Sequence, residues 1–249
     1  MKAPFVIGHR GACADAPENT LASFALAFAK GAGMVECDVT LTRDGQVVVI
    51  HDETLDRTTD GRGPVSSRTL EEIRRLDAGA WFSGKFEGEK IPTLDEVLAL
   101  VLERKGAINI EIKPEAVKGE LFSDGVEARV LSAVASRRME GSVLVSSFDA
   151  RAVRRAKDLA PTIATAFLIH ETMKEPAQAI HERLGCDAVH LNVRKNGRAQ
   201  IEDARRAGMD VRFYTVNDAS RAKTLRDEGA AGIFTDRPAE MLALLNPTD

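Results

Sequence analysis

Two short segments of the sequence carry charged side chains two residues apart. MVECDV contains Glu36 and Asp38, and INIEIK sets isoleucine against asparagine, Glu111 and Lys113 in strict alternation. Because alternate residues of a β-strand leave the same face, each pair points in one direction. Grouped carboxylate oxygens suit a hard divalent cation, Ca²⁺ or Mg²⁺, whereas Zn²⁺ more often takes His or Cys ligands.

A second set of residues could handle protons and negative charge. His9 and Arg10 stand together in GHRG, and His51 follows an apolar run in VVVIHD. Histidines titrate near neutrality, so two of them can serve as general base and general acid. The guanidinium of Arg10 is a rigid fork of donors suited to a phosphate. With a metal ion these groups indicate hydrolysis of a phosphodiester, although proton abstraction from a carbon acid would use similar parts.

The segment that joins the carboxylates to His51 has the pattern of a β-hairpin. Asp-Gly at 44–45, flanked by β-branched and apolar residues, is a strong hairpin sequence. A two-residue turn pairs Arg43 with Gln46 and, counted back along the ladder, sets Asp38 opposite His51. Since opposed residues share a face, the returning strand should carry the histidine back to the carboxylates.

The rest of the chain supplies the elements that could position these residues. Eight short apolar or β-branched runs have the character of strands: APFVIGH, MVECDV, AINIEIK, SVLVSSF, TIATAFLI, CDAVHLNV, DVRFYTV and AGIFTD. Eight longer segments with apolar residues near helical spacing alternate with them: ENTLASFALAFAKGAG, TLDEVLALVLERKG, ELFSDGVEARVLSAVASRRM, DARAVRRAKDLA, EPAQAIHERLG, GRAQIEDARRAG, DASRAKTLRDEG and RPAEMLALLN. Asn19 or Thr20 could cap the first helix.

This alternation predicts an α/β fold, a (β/α)₈ barrel of the TIM type in which helices surround parallel strands. A doubly wound open sheet is the alternative, but no GxGxxG or P-loop follows any strand. In the barrel, the isoleucines of INIEIK should face the helices. Asn109, Glu111 and Lys113 should face the barrel axis near its C-terminal mouth, where such barrels do chemistry.

Composition narrows the class of protein. The chain has 249 residues and a formal net charge of −4, with no basic stripe for nucleic acid and no polybasic membrane anchor. Three cysteines without CxxC spacing predict reduced thiols in a cytoplasmic protein. The N-terminal apolar run is broken before it reaches signal-peptide length, and no run approaches membrane-spanning length. We therefore expect a small-molecule partner, and the sequence is compatible with a homo-oligomer.

The motifs occur in an order that resembles the glycerophosphodiester phosphodiesterases. They are HRG with PENT, ExD at 36–38, TRDGxxVVxHD at 42–52, ExK at 111–113, and TD followed by RP at 235–238. The resemblance implies a single-domain barrel hydrolase, residues 1–249, that converts glycerophosphodiesters, the deacylated remnants of phospholipids, into sn-glycerol 3-phosphate and an alcohol.

The resemblance also implies roles for individual residues. Glu36, Asp38 and Glu111 would bind one divalent cation, and Arg10 and Lys113 would hold the phosphoryl group. His9 would be the base and His51 the acid, and a glycerol hydroxyl would attack first to give a cyclic phosphate that water opens. A lyase that releases the cyclic phosphate and a non-catalytic phosphoester-binding protein are the alternatives, although no ligand or histidine of the pattern is missing.

Residues 53–92, rich in glycine and charge, are too long for an ordinary loop and predict a small insertion over the mouth. Within it, TLEEIRR should form a short helix capped by Thr69. Trp81 and Phe82 are candidates for a substrate wall, and an equally good interpretation is that they anchor the insertion to the barrel rim. Tyr214 stands where the family often has tryptophan, and it is a candidate for the aromatic wall of the site.

Overall fold

The computed structural model describes residues 5–117, 125–194 and 197–245, and it contains a closed barrel of eight parallel strands. Strand pairing runs in the order β1-β9-β8-β7-β6-β5-β4-β2, and β1 pairs with β2 to close the ring. The strands are β1 Val6–Gly8, β2 Met34–Leu41, β3 Val47–Val49, β4 Ala107–Ile112, β5 Val143–Ser147, β6 Ala164–Ile169, β7 Ala188–Asn192, β8 Asp210–Tyr214 and β9 Gly232–Thr235. β3 lies outside the ring, antiparallel to β2.

Eight helices of the described residues follow the barrel strands and cover them. They are α1 Leu21–Ala29, α3 Leu94–Glu103, α4 Val126–Ser136, α5 Ala150–Leu159, α6 Ala177–Leu184, α7 Arg198–Arg206, α8 Ala219–Glu228 and α9 Pro238–Leu245, while α2, Leu70–Arg74, belongs to the insertion. Thr20 caps α1, because its hydroxyl accepts a hydrogen bond from Ser23 N. Asn19 does not cap the helix, and its side chain donates a hydrogen bond to Asp38 instead.

The predicted barrel and its order of elements are confirmed, and the open-sheet alternative is wrong because β1 also pairs with β2. Each of the eight predicted strands overlaps one strand of the ring, and β2 runs two residues beyond the predicted MVECDV. The ends of some predicted segments, residues 3–4, 120–124 and 246, lie outside the described residues.

Strand β4 has the two unlike faces that its alternation predicts. Ile108, Ile110 and Ile112 are fully buried in the core between the sheet and the helices, together with Val97 and Val130 of α3 and α4. The opposite face of β4 turns into the barrel. The polar side chains of β4 therefore all face the barrel axis.

Much of the barrel interior is apolar, although Arg212 of β8 is also buried. A cluster of buried apolar side chains occupies it: Ile7, Met34, Leu144, Ala166, Ala188 and Phe234. Such filling makes the barrel a packed core and leaves the C-terminal mouth as the place for a site. In the described part of the chain, no helix has both the length and the apolar character needed to cross a membrane.

The hairpin forms, but its predicted register is wrong by one residue. Val39 pairs with Val49 and Leu41 with Val47, so Asp38 stands opposite Ile50 and not opposite His51. The loop has three residues, and its last residue, Gly45, has a φ of +74°. Asp-Gly also suits this longer loop, in which glycine takes the left-handed position.

The insertion folds as a small unit on the outer strand. Thr69 forms a capping box with Glu72 and starts α2, as predicted. A separate hydrophobic cluster joins β3 to the insertion: Val48, Ile50, Leu55, Val65, Ile73, Ala78 and Ile91. The hairpin is therefore the base on which the insertion packs, and His51 lies at the point where the two meet.

Candidate active site

A cavity of about 200 Å³ opens at the C-terminal mouth of the barrel. Its lining combines charged, aromatic and aliphatic side chains: His9, Arg10, Glu36, Asp38, His51, Asn109, Glu111, Phe148, Leu168, His190, Tyr214, Thr215 and Phe234. The predicted carboxylates, the two histidines, Arg10 and Tyr214 are thus brought together. Strands β1, β2 and β4 supply the charged side, and β5 to β9 supply most of the apolar side.

Glu36, Asp38 and Glu111 form a buried cluster whose carboxylate oxygens lie within 4.8 Å of one another. β2 and β4 pair in register, with Asp38 beside Glu111, so neighbouring strands set the spacing. Burial and the neighbouring Asp38 raise the pKa of Glu111 to about 7. Burial, with Asp38 and Glu111 nearby, also raises the pKa of Glu36 well above its usual range. The cluster therefore has too little positive charge around it to ionise fully at neutral pH.

Among the described residues, Asp38 is the member of the cluster with the most polar neighbours. The ammonium of Lys113 lies 3.3 Å from Asp38 Oδ1 and 3.1 Å from Glu111 Oε1. Nδ2 of Asn19 donates to Asp38 Oδ2 at 2.9 Å. Although burial acts in the opposite direction, Lys113 and Arg10 hold the pKa of Asp38 below its usual range. Lys113 thus turns its ammonium onto two carboxylates and is not among the residues that line the cavity.

Three oxygen donors of this kind fit a hard divalent cation. Such ions take carboxylate oxygens, and buried carboxylates without enough counter-charge are stabilised when one binds. Glu36 accepts a hydrogen bond from Arg10 N at 2.8 Å. A cation of this class, Ca²⁺ or Mg²⁺, would be held by Glu36, Asp38 and Glu111.

Arg10 is held by the turn that follows β1. Its backbone N–H binds Glu36, its Nη1 donates to Glu18 Oε1 at 2.8 Å, and its Nε lies 3.4 Å from Asp38 Oδ2. Arg10 has a φ of +52° and Gly11 a φ of +88°. A Cβ on Gly11 would come within 2.6 Å of the Ser23 carbonyl carbon, so only glycine fits this turn against α1.

His9 lies at the end of β1 and contacts the residue that follows β9. Its Nδ1 is 2.7 Å from Asp236 Oδ1. Asp236 also accepts hydrogen bonds from Cys13 Sγ at 3.1 Å and from Asn217 Nδ2 at 2.6 Å. Burial raises the pKa of the Cys13 thiol, so the sulfur keeps its proton and acts as a donor.

His51 has a carboxylate neighbour of its own. Its Nδ1 is 2.7 Å from Asp52 Oδ1, and Arg57 of the insertion donates to Asp52 from Nε at 2.7 Å and from Nη2 at 3.0 Å. Arg57 also binds both oxygens of Glu18. Burial, together with Arg10, lowers the pKa of His51, although Asp38 acts in the other direction.

The aromatic candidates divide between two places. Tyr214 lines the cavity and meets Phe148 edge to face, with ring centroids 6.0 Å apart. Trp81 and Phe82 are absent from that lining. Trp81 is 41% exposed, its Nε1 donates to Ala78 O at 2.9 Å, and its ring packs edge-on against Phe82. Their role as a substrate wall stays a prediction.

Sequence reasoning missed several residues of the site. Glu18 and Asn19 stand in PENT, and Asp236 stands in the TD that follows the last strand, so both motifs could have suggested a place at the mouth. Arg57 stands in no motif that would have pointed to it. His190, which alternates with Val189 and Leu191 in the sequence, is fully buried and lines the cavity.

With this geometry in place, comparison with known proteins is informative. The family model of the glycerophosphoryl diester phosphodiesterase family matches residues 9–240. A glycerophosphodiester phosphodiesterase of Caldanaerobacter subterraneus subsp. tengcongensis is 38% identical over 245 residues, which are 96% of this chain and 97% of that protein. One of Bacillus altitudinis is 36% identical over 236 residues, 94% of each chain.

Solved structures agree with the sequence comparison. A phosphodiesterase of Oleispira antarctica, solved in complex with the product sn-glycerol-3-phosphate, superposes with a TM-score of 0.89 at 34% identity, covering 98% of this chain and 97% of that one. A glycerophosphodiester phosphodiesterase of Agrobacterium tumefaciens superposes with a TM-score of 0.82 at 30% identity, covering 98% of this chain and 100% of that one.

Proposed function

The chain belongs to the glycerophosphoryl diester phosphodiesterase family, and we propose that it hydrolyses glycerophosphodiesters to sn-glycerol 3-phosphate and an alcohol with the help of one divalent cation. One observation carries the proposal: three carboxylates, two histidines and Arg10 line a single cavity at the barrel mouth. The product named for the Oleispira relative supports the same substrate class.

Glu36, Asp38 and Glu111 are the proposed metal ligands, and Ca²⁺ and Mg²⁺ are the proposed ions. When bound, the cation would supply positive charge against the phosphoryl oxygens. Arg10 presents its guanidinium beside this cluster, which supports a role in holding the phosphate. Lys113 contacts Asp38 and Glu111, and its second proposed role is to hold the same phosphate once the cation has bound these carboxylates.

His9 and His51 are the proposed base and acid. Both rings line the cavity, and each has its Nδ1 occupied by an aspartate, which leaves Nε2 for proton transfer. His9 Nε2 would take the proton of an attacking glycerol hydroxyl, and His51 Nε2 would give a proton to the leaving alkoxide. Water would then open the cyclic phosphate with the two roles reversed.

Tyr214 and Phe148 line the side of the cavity formed by β5 to β9, which supports an apolar wall for part of the substrate. Trp81 and Phe82 would extend that wall if the insertion moved toward the mouth. We further propose that residues 1–249 work as one domain, with residues 53–92 as its insertion, in the cytoplasm. Cys13, Cys37 and Cys186, which are unpaired, support a reducing compartment.

Turnover of defined substrates tests this function. Diesters of glycerol phosphate with choline, ethanolamine, glycerol and inositol would be supplied with Ca²⁺ or Mg²⁺, and glycerol 3-phosphate would be measured enzymatically. We expect release from at least one diester and its complete loss in EDTA, with recovery on adding the ion back. Phosphorus NMR of the products separates the alternatives, since a lasting cyclic phosphate would mean a lyase. Binding without turnover would mean a non-catalytic protein.

A further inference from the structure

We propose that Asp236 is a positioning residue that keeps the proton of His9 on Nδ1 and so leaves Nε2 free to accept one, an inference that rests on the proposed function of this site. His9 Nδ1 and Asp236 Oδ1 are 2.7 Å apart, and the ring borders the cavity. The contact is partly buried, with side-chain exposures of 19% for His9 and 29% for Asp236.

Which atom donates this hydrogen bond follows from the ionisation state of the Asp236 carboxyl. Burial acts against ionisation, yet hydrogen bonds from His9, Cys13 and Asn217 hold the pKa of Asp236 below its usual range. An ionised carboxylate only accepts hydrogen bonds. His9 Nδ1 must therefore be the donor, and in a neutral imidazole Nε2 then carries the lone pair.

Asn217 fixes the orientation of the whole group. Its Oδ1 accepts hydrogen bonds from Asp236 N and from Thr235 Oγ1, both at 2.9 Å. Its Nδ2 must therefore be the atom that donates to Asp236 Oδ2, at 2.6 Å. Turning the Asn217 amide would place its NH₂ group against the backbone N–H of Asp236, so that two donors would face each other. The contacts of Asn217 with Asp236 N and Asp236 Oδ2 therefore both favour the observed orientation.

This orientation decides what an asparagine at position 236 would do. Asn217 Nδ2 needs an acceptor, so the oxygen of the new amide would face Asn217, and its NH₂ group would face His9 Nδ1 and the sulfur of Cys13. The thiol can turn its proton away and act as a weak acceptor there. Nδ1 would then become the acceptor, and the neutral ring would carry its proton on Nε2. Asp236→Asn is thus expected to invert the tautomer and remove the lone pair that takes the proton.

Asp236→Ala provides the discriminating comparison. Alanine removes the carboxylate without presenting any donor to Nδ1, so both neutral tautomers of His9 become accessible. A tautomer effect predicts that alanine impairs turnover less than asparagine does. A merely structural role predicts the reverse order, because alanine leaves Asn217 Nδ2 without its partner and creates a void.

The test measures the tautomer and turnover separately. Ring nitrogen chemical shifts of His9 in the ¹⁵N-labelled, metal-loaded protein distinguish protonated from unprotonated Nδ1 and Nε2, with His9→Gln to assign the signals. We expect the Nδ1–H form in the wild type, the Nε2–H form in Asp236→Asn and a mixture in Asp236→Ala. Turnover should fall at least ~10²-fold in Asp236→Asn, the size typical of a general base, with KM little changed, and by a smaller factor in Asp236→Ala.

Asp149→Asn is the matched control, because Asp149 follows another barrel strand, caps α5 and contacts Arg151. It should leave the His9 signals and turnover as in the wild type. An unchanged His9 tautomer in Asp236→Asn would overturn the inference, as would an equal or larger loss in Asp236→Ala. The two proposals can also fail separately. If the wild type hydrolyses no glycerophosphodiester but Asp236→Asn still switches the His9 tautomer, the proposed function is overturned and the positioning of His9 by Asp236 is supported.

Discussion

Arg57 and Glu18 are joined by two hydrogen bonds, Nη1 to Oε2 at 2.7 Å and Nη2 to Oε1 at 2.8 Å, although 39 positions separate them in the chain. The same guanidinium binds Asp52, which contacts His51, and the same carboxylate binds Arg10. A continuous row of charges therefore connects the proposed phosphate-binding arginine with the proposed acid. Arg57 is the member of this row that the insertion contributes.

Arg57→Ala should lower turnover by about 10- to 100-fold, the loss typical when a group that orients an active-site residue is removed. The free energy of unfolding should change by only about 1 kcal/mol or less, because the side chain is 44% exposed and exposed ion pairs contribute little. Steady-state kinetics and thermal unfolding measure the two effects.

Arg62→Ala is the control for this prediction. It removes an exposed arginine of the same insertion whose described hydrogen bond is to a backbone carbonyl, Asp56 O. Equal turnover in the two variants would contradict the role of Arg57.

Gly11 should tolerate alanine much less well than Gly88, although both have a positive φ, +88° and +96°. A Cβ on Gly11 meets the backbone of α1, whereas a Cβ on Gly88 has no atom of the described residues within 4 Å. Gly88→Ala should cost roughly 1–2 kcal/mol, the strain of the left-handed conformation alone. Gly11→Ala should cost more and should also lower turnover, since His9 and Arg10 precede it. Chemical denaturation and kinetics of both variants check this, and equal stability losses would be the contrary result.

Metal binding near pH 6 should release protons from the carboxylate cluster. Burial and Asp38 raise the pKa of Glu111 to about 7, so much of this carboxyl is protonated without the ion. In the unfolded chain, the pKa of a glutamate carboxyl is about 4.3. The folded pKa is the higher one, so the metal-free protein should lose stability as pH rises between these values, and metal affinity should rise with pH over the same range.

Calorimetry of Ca²⁺ or Mg²⁺ binding in buffers with different ionisation enthalpies counts the released protons. Glu111→Gln should release fewer protons and bind the ion more weakly. Glu53→Gln changes an exposed carboxylate at the same mouth and should behave like the wild type. A heat of binding that is independent of the buffer would disprove the linkage.

His51→Ala and His9→Ala should respond differently to the leaving group. If His51 donates the proton, its removal should cost at least ~10²-fold on an alkyl diester, and much less on a nitrophenyl diester whose leaving group needs no proton. His9→Ala should lose heavily on both substrates. His181→Ala serves as control, because that histidine lies on α6 and contacts Cys186 O. Equal losses for His51→Ala on both substrates would refute its acid role, and a rescue seen in His9→Ala would reverse the assignment.

Features that repeat along the sequence were predictable, whereas single contacts between distant segments were not. Alternation in INIEIK set the two faces of β4, and the eight strand-helix units set the barrel. The hairpin register was missed by one residue because Asp-Gly suits loops of two and of three residues. The partners Arg57 and Asp236 were missed because no local pattern marks which residue a loop will bring to a histidine.

Lys113 illustrates a further limit of sequence reasoning. Its face of β4 followed from alternation, but the direction of its ammonium did not, because a long flexible side chain selects among rotamers by the charges around it. Only the structure places that ammonium against Asp38 and Glu111. The position of Trp81 was equally open, since an insertion of this length has no repeat that would orient it.

The contact between His9 and Asp236 spans 227 positions of the chain and crosses the seam where β1 pairs with β9. Loop-closure entropy for such a separation contributes about 5 kcal/mol against forming it early. The carboxylates of β2 and β4, by contrast, come from strands that follow one another in the ring. During folding, the capacity to bind an ion should therefore precede the capacity to turn over substrate. Hydrolysis, unlike the carboxylate cluster, therefore depends on a contact that exists only when β1 and β9 are paired and the ring is complete.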